Sequence, residues 1–505
     1  MAKATGRAKR KGPRILVVTP EIASVPPGMS HNGGRVVAKA GGMADVTQGI
    51  VAALYEMGAD VHVALPNYRR MFHGDISTLV AKHVRDYKRK VPERRLHFAE
   101  DSFFHRRIGV YSGDELESSL RFQREVINHI LTEVSPDLVH CNDWMTGLVV
   151  GAARRLDIPC LMTIHNIHTQ YADIDTIERS GIPVGDFWRQ LYFSRFPAEL
   201  ESIGRDNPVD LLASGIFSSH FVNTVSPTFL EEVVRGDHHF VPNSVRQEVI
   251  EKHRSGCAAG ILNAPPDRYR PDTDRSLVTN YTADDHQSGK RANKTAFQAE
   301  VGLPEDPDAP LFFWPSRLDP SQKGCELLDE LLPELVREHT LVGMQIAFIA
   351  DGPYQQRIRD TVKRSRIGRR VAVCDFDERL SCLGFAASDF VLMPSRFEPC
   401  GLPQMIGAIY GSLPVVHDTG GLHDTVSHLD PSTGSGNGFV FRDYDTNGLR
   451  WAMSEAVRFF QCDAELRSAN VARVMRDSSE RFSHAATARA YFDLYEQMLD
   501  RPLIV

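Results

Sequence analysis

The feature that most restricts how this chain can fold is a repeated sentence: a short β-branched run, a Gly-bearing or polar turn, then an amphipathic helical stretch. Its first instance is ILVVTP from Ile15, a long loop, GGMADVTQGIVAALYEMG with Val46, Ile50, Val51 and Leu54 at helical spacing, and VHVALP. Gly58 is placed to stop that helix. DLVHCND (137 to 143), CLMTIHN (160 to 166) and FVNTVS (221 to 226) continue the strand series. Strands that alternate with helices imply a parallel sheet with right-handed crossovers.

The pattern breaks between Asn263 and Gly289, where the chain turns rich in Pro, Asp and Thr, and then it restarts. LFFWPSRL, QIAFIADG, VAVCDF, DFVLMPS, LPVVHD and NGFVF are six further strand candidates, several of them separated by helical segments such as CELLDELLPELV. The expected fold class is therefore α/β, with two Rossmann-like doubly wound parallel-sheet domains facing a cleft. A chain of 505 residues is long enough for two cores. The expected divisions are a basic tail over 1–13, a first domain over 14–265, a linker over 266–289, a second domain over 290–478 and a closing segment over 479–505. In that last segment FSHAATARAYFDLYEQML reads as one long amphipathic helix. AGGMADV (40 to 46) echoes TGGLHDTV (419 to 426), each with a Gly pair where a strand gives way to a helix.

Composition narrows the class. Apolar and aromatic residues make up 42% and charged residues 24%, as in a soluble globular protein. A net charge of -7 argues against general nucleic-acid binding. No apolar stretch approaches the roughly 18 residues that span a bilayer, and no secretory signal opens the chain, so the expected location is the cytoplasm, with no membrane partner. The eight cysteines lack paired CxxC spacings and read mainly as small buried apolar residues. MAKATGRAKRKGPR carries six Lys or Arg, the pattern of a solvated tail, with a nucleic-acid or targeting role as the alternative.

Four constellations carry chemistry. Lys39, Gly41 and Gly42 precede a helix whose first turn includes Asp45; glycines admit a phosphate to the backbone, free amides face it and the lysine adds a charge. A Gly-rich turn with a solvated lysine reads the same way. In SRLDPSQKG, Arg317 lies just past a strand and Lys323 precedes Gly324, two cations suited to a diphosphate leaving group or simply to the surface. His165 ends the apolar strand in TIHNIH, where it can donate to a sugar hydroxyl or serve the core. His165 with His168, and His238 with His239, lack a third ligand at a helpful spacing, so no metal is expected.

The fourth constellation is SRFEPCGLPQM (395 to 405). Glu398 sits between Phe397 and Pro399 at a strand-to-helix turn, with a helix expected from Cys400 to Tyr410. Burial disfavours a charged carboxylate, so one kept charged here needs donors or cations beside it. The amides of Cys400, Gly401 and Leu402 are placed to meet an anion, and Pro403 fits a first turn.

From Arg14 to Leu499 the chain resembles the bacterial glycogen synthases and plant starch synthases, glycosyltransferase family 5, with the GT-B fold. KAGGMADV, HCNDWMTG, TIHN, NTVSPTFLEEV, GILN, GKRANKTAFQ, SRLDPSQKG, SRFEPCGLPQM and TGGLHDTV occur in the family's order. The resemblance implies transfer of glucose from ADP-glucose to the non-reducing end of an α-1,4-glucan, with retention and without cofactor or metal. The implied partners are a nucleotide sugar and a glucan primer; no oligomeric state follows. Carried over by position, Lys39, Gly41 and Gly42 contact the donor's phosphate and sugar region, Asp143 lies near the glucose, and His165 lies close to the anomeric centre. Arg317 and Lys323 hold the diphosphate in place of a metal. Glu398 contacts the transferred glucose, Cys400, Gly401 and Leu402 supply backbone donors, and Asn263 lies beside the cleft. The final helix is expected to cross back onto the first domain, and catalysis to need domain closure.

Departures from the family pattern cluster near the implied donor and acceptor surfaces. The loop from Glu21 to Lys39 is long, Phe376 stands where a Tyr often stacks on adenine, and Ala264 with a Pro pair follows Asn263. HNIHTQY replaces HNLAYQG, and VDLLASG lacks a lysine. The competing readings are a GT-B transferase that uses UDP-glucose or another acceptor, and a glucan-binding relative without turnover.

Overall fold

The computed structural model describes residues 12–26, 29, 36–72 and 95–504. The basic tail up to residue 11 lies outside the described residues, as do 27–28 and 30–35 of the loop before Lys39. The chain forms two compact units. The first runs to Val225 and includes Leu230–Ile261 and the end of the chain from His484; the second is Ser226–Phe229 with Leu262–Ser483.

The first unit is built on a seven-stranded sheet in the order Leu96–Ala99, Asp60–Pro66, Arg14–Val18, Leu138–Asn142, Cys160–Ile164, Phe221–Thr224 and Ala258–Gly260. Every pairing in it is parallel. Leu138–Asn142 and Cys160–Ile164 are buried at all positions, as parallel strands covered on both faces must be. The helix Gly42–Glu56 buries Val46, Ile50, Val51 and Leu54. Each such side chain contributes roughly 1.5–3 kcal/mol by leaving water.

The last helix, His484–Leu499, belongs to this unit and reaches polar groups on two strands of the sheet. The Tyr495 hydroxyl meets His140 Nδ1 at 2.7 Å, and Thr163 Oγ1 meets the other ring nitrogen at 2.7 Å. Burial pushes His140 down to about 3, so its ring is neutral and two hydroxyls supply the one donor and one acceptor it needs. Asn223 Nδ2 donates to the Tyr491 hydroxyl at 2.8 Å.

The second unit carries a six-stranded parallel sheet in the order Val371–Cys374, Gln345–Ile349, Leu311–Trp314, Phe390–Met393, Leu413–His417 and Phe439–Phe441. All six strand candidates of this half contain a strand. The helix Cys325–Glu338 continues through Pro333.

Two local expectations change. The stretch 266–289 has the composition of a linker, yet it packs into the second unit. Tyr281 is buried and donates to the Tyr410 carbonyl at 2.8 Å, and the Tyr410 hydroxyl donates to Asp274 at 2.6 Å. The helix expected over Cys400 to Tyr410 spans Pro403–Ile409. Gly401 has φ +73, which no helix tolerates, so Cys400 to Leu402 form a turn and the proline opens the helix. Among the described residues no helix is long and apolar enough to cross a membrane.

Candidate functional site

In an open parallel sheet ligands meet the carboxyl edge where the strand order reverses. In the second unit that point lies between Leu311–Trp314 and Phe390–Met393, and the loops after these two strands carry Arg317, Lys323 and Glu398. Lys323 Nζ lies 2.6 Å from Glu398 Oε2, and Ser395 Oγ donates to the same oxygen at 3.0 Å. Both charged side chains are largely buried. The cation that a charged Glu398 requires is therefore Lys323 itself. Arg317 is open, with 73% of its side chain exposed and Asp319 at 3.8 Å.

Two glycines allow this arrangement. Gly324 has φ +71, and a Cβ there would lie 2.0 Å from the Pro394 carbonyl, so only glycine lets the Lys323 loop approach the Glu398 loop. Arg396 N–H then donates to the Gln322 carbonyl at 2.8 Å. A Cβ at Gly421 would lie 2.1 Å from the Cys400 carbonyl; without it, Gly421 N–H reaches the Glu398 carbonyl at 2.9 Å. Gln404 Nε2 fixes the turn by donating to the Cys400 and Gly401 carbonyls, each at 3.0 Å. Burial pushes the Cys400 thiol up to about 12, so it stays protonated. Asn263 is buried with its Oδ1 unpartnered among the described residues. Phe376 is 54% exposed, its backbone N–H donating to Asp351 Oδ1 at 3.0 Å.

In the first unit the strand order reverses between Arg14–Val18 and Leu138–Asn142, which lead to Glu21 and Asp143. The Gly41 turn was expected to offer free amides to a phosphate. Here Ala40 N–H and Gly41 N–H donate to Glu21 Oε2 at 2.7 and 3.0 Å. Burial holds the Glu21 carboxyl above its ordinary range despite those two amides and a 3.4 Å contact from the Tyr111 hydroxyl. Lys39 pairs with Asp45 at 2.8 Å.

Asp143 has φ 55 and ψ 179, a backbone shape costly for a residue with a side chain. Its carboxyl accepts His165 N–H at 2.7 Å, and burial pushes it up to about 7. Burial also pushes His165 down to about 4, so its ring is neutral. Asn142 Nδ2 donates to the Val18 carbonyl at 3.1 Å, which turns Asn142 Oδ1 toward His165 Nε2 at 2.9 Å. The ring proton is therefore on Nε2. The sequence left His165 open as a donor to a sugar hydroxyl or as a structural histidine; with Nε2–H engaged by Asn142, the ring nitrogen left to it is Nδ1, an acceptor. Among the described residues no three His, Cys, Asp or Glu side chains gather as a metal-holding group. His238 pairs with Glu232 at 2.9 Å.

Comparison with known proteins supplies the lineage. The starch synthase catalytic domain family matches residues 14–241, and glycosyl transferases group 1 matches 309–458. A glycogen synthase of Exiguobacterium sibiricum is 33% identical, the match covering 90% of this chain and 95% of that one. A glycogen synthase of Moorella thermoacetica is 31% identical over 97% of each. The chain belongs to the glycogen and starch synthase family. It is a glycosyltransferase of GT-B fold. The catalytic domain of Arabidopsis thaliana starch synthase IV, solved with ADP and acarbose, superposes with a TM-score of 0.76 at 27% identity, covering 97% of this chain and all of that one.

Within this family member the structure adds groups that the sequence reading missed. Asn142 ends a strand and Glu21 lies three residues past one, both at the carboxyl edge that marks ligand sites. Ser395 and Gln404 lie inside the SRFEPCGLPQM stretch, but only the folded turn shows which oxygens they touch.

Proposed function

We propose that this glycosyltransferase moves glucose from ADP-glucose to the non-reducing end of an α-1,4-glucan, with retention at the anomeric carbon and without a metal. The observation that carries the reading is the Lys323–Glu398 pair beside the open Arg317 guanidinium at the strand-order reversal of the second sheet. The first domain is read as the acceptor-side domain and the second as the nucleotide-sugar-binding one.

As the bond from the anomeric carbon to the diphosphate breaks, the diphosphate leaves with the electron pair. Arg317 takes up that growing charge, and Lys323 turns from Glu398 toward the phosphates. Glu398, with Ser395 still on its Oε2, then faces the positive anomeric centre, which a fixed carboxylate stabilises. The acceptor hydroxyl oxygen forms the new bond and its proton passes to the departing diphosphate. His165 Nδ1 accepts from a sugar hydroxyl, Asp143 lies near the glucose, and Phe376 offers an exposed ring to the adenine. The ADP and acarbose bound to the Arabidopsis starch synthase IV support both halves of this substrate assignment.

The test is incorporation of labelled glucose from ADP-glucose, and in parallel from UDP-glucose, into ethanol-precipitable polymer primed with glycogen. Incorporation from ADP-glucose that α-amylase removes and EDTA leaves intact is the expected result. A preference for UDP-glucose overturns the donor assignment; activity lost in EDTA and restored by Mg²⁺ or Mn²⁺ overturns the metal-free one. Failure to incorporate from either donor, in folded protein, overturns the synthase reading.

A further inference from the structure

Once Lys323 swings to the phosphates, the partner left to Glu398 is the hydroxyl of Ser395, 3.0 Å from its Oε2. Ser395 is held in turn by His417. This residue ends the strand Leu413–His417, between the strands Phe390–Met393 and Phe439–Phe441, and only 8% of it is exposed. Its Nδ1 lies 2.8 Å from the Ser395 carbonyl oxygen, and its Nε2 lies 3.2 Å from the Arg442 carbonyl oxygen. Phe441 and Tyr444 pack on the ring, with centroids 5.4 and 5.0 Å away.

Both partners are carbonyl oxygens, which accept and never donate. A neutral imidazole has one N–H, so it satisfies one of them and sets a nitrogen lone pair against the other. An imidazolium satisfies both. Burial opposes that charge, and the two carbonyl acceptors favour it. Glu326, joined to the Tyr444 hydroxyl at 2.9 Å, favours a proton on the ring, and Arg396, 5.1 Å from the Tyr444 centroid, opposes one. Lys323 is neutralised by Glu398, while Asp418 is shared by His423 at 2.7 Å and Arg442 at 3.7 Å. The helix Thr446–Phe460 turns Arg450 to Glu338 at 3.2 Å and Arg458 to Glu455 at 2.6 Å, and the helix Pro403–Ile409 carries no titratable side chain. Asp424 on the helix Gly420–Thr425, with Asp443 and Asp445 after the strand Phe439–Phe441, leaves these elements with an excess of negative charge.

We propose that His417 is a positioning residue for glucosyl transfer: as an imidazolium it ties the carbonyls of Ser395 and Arg442 together, and so keeps the Ser395 hydroxyl on Glu398 when Lys323 leaves. This role rests on the reading of Glu398 as the group that faces the anomeric centre. His417 touches neither substrate nor reacting atoms and acts through Ser395. As pH rises and the ring loses its proton, one carbonyl bond is lost and the Ser395 loop loosens. The protonated form is therefore the active one, and turnover declines on the alkaline side. The Ser395 bond matters most after Lys323 has gone, so the effect belongs to kcat and not to KM.

The experiment uses the full chain labelled with ¹⁵N-histidine, for imidazole nitrogen spectra, together with rates across the neutral and alkaline range. The expected result is a ring with both nitrogens protonated at neutral pH, a signal absent from His417→Gln. Wild-type kcat should fall over the pH range in which that ring loses its proton. His417→Gln offers an amide on one side only. It should lower kcat ~10-fold at neutral pH, about the worth of one hydrogen bond, abolish the alkaline decline and leave the KM for ADP-glucose within about 2-fold. Ser395→Ala should lower kcat to a similar degree, and the double variant should be no slower than the slower single, because both break one chain of contacts. A singly protonated ring at neutral pH overturns the imidazolium. Wild-type turnover per folded molecule in His417→Gln, or losses that multiply in the double variant, overturn the positioning role. The wild-type spectrum and pH profile need no variant to fold, and a kcat that stays flat through the ring's titration overturns the role by itself. If folded wild type transfers glucose from neither ADP-glucose nor UDP-glucose while the ring carries both protons, the clamp stands and the synthase reading falls. If wild type makes glucan and the ring carries one proton, the synthase reading stands and the clamp falls.

Discussion

Each unit places a buried carboxylate at the carboxyl edge of a parallel sheet, beside the reversal of strand order, and the two are neutralised by different means. Glu21 is held by the amides of Ala40 and Gly41, which belong to the backbone and cannot turn away. Glu398 is held by the ammonium of Lys323 and the hydroxyl of Ser395, both on rotatable side chains. A lysine on a four-carbon stem can move to a stronger anion when one arrives, whereas an amide in a turn can only stay. The difference separates a brace that shapes a loop from an ion pair that, on the function proposed above, a diphosphate opens.

The largest effects should come from the ion pair. Lys323→Met, Glu398→Gln and Arg317→Ala are each expected to lower turnover by at least ~10²-fold, as when preorganised charge is removed from a site of charge transfer. Lys323→Met and Glu398→Gln singly leave one charge buried without its partner, which destabilises; the double variant removes both and should recover most of the stability while recovering none of the rate. Chemical denaturation beside steady-state rates reads the two outcomes apart. Near-wild-type turnover in any single variant would remove that residue from the site.

A separate effect tests the other unit by pH. The Asp143 carboxyl, held at about 7 by burial against an ordinary 3.8, keeps in the folded chain a proton that the unfolded chain sheds above about pH 4. Its favourable contribution is full below that point and is lost as pH rises through 7. Asp143→Asn, which cannot ionise, should therefore gain on wild type between pH 4 and 8, by on the order of 4 kcal/mol in unfolding free energy. A flat difference across that range would mean that the carboxyl is already charged when folded.

Glu21→Ala sharpens the contrast between brace and ion pair. It leaves two amides without their acceptor, a loss of roughly 1–3 kcal/mol in stability. Its rate per folded molecule should fall less than that of Glu398→Gln, because Glu21 acts on the Gly41 turn and not on the transferred group. A rate loss as large as that of Glu398→Gln, with stability unchanged, would erase the distinction.

Much of this was legible before any fold was known, and what was not has a common cause. The strands were legible because apolar runs of four to seven residues between turns leave few alternatives in a doubly wound sheet. Lys323 and Glu398 were legible as chemistry because each follows such a run. Their pairing was not, because they lie 75 positions apart and meet only through the order of the strands. The same holds for His165, whose tautomer is set by Asn142, which is itself turned by a carbonyl 124 positions away. The segment 266–289 misled because its composition is that of a loop; buried Tyr281 and Asp274, both partnered by Tyr410, anchor it, and composition cannot reveal such contacts. The turn at Cys400 to Leu402 was within reach, since Pro403 opens helices more readily than it continues them.

The smallest expected effect bears on which unit reads the nucleotide. Phe376 follows the edge strand Val371–Cys374, and with more than half of it exposed it has little burial to lose, so substituting it should change stability only modestly. If the second unit holds the donor as its ion pair implies, Phe376→Ala forfeits one aromatic stacking contact, worth about 1 kcal/mol, and the KM for ADP-glucose should rise ~5-fold with kcat little altered. Phe376→Tyr keeps the ring and adds a hydroxyl, so it should lie within about 2-fold of wild type. The pair of variants distinguishes stacking from mere crowding, because crowding would penalise the larger Tyr and spare Ala. An Ala variant with an unchanged KM for ADP-glucose would detach the adenine from this edge of the sheet, and the second unit would then be identified with the diphosphate and the sugar alone.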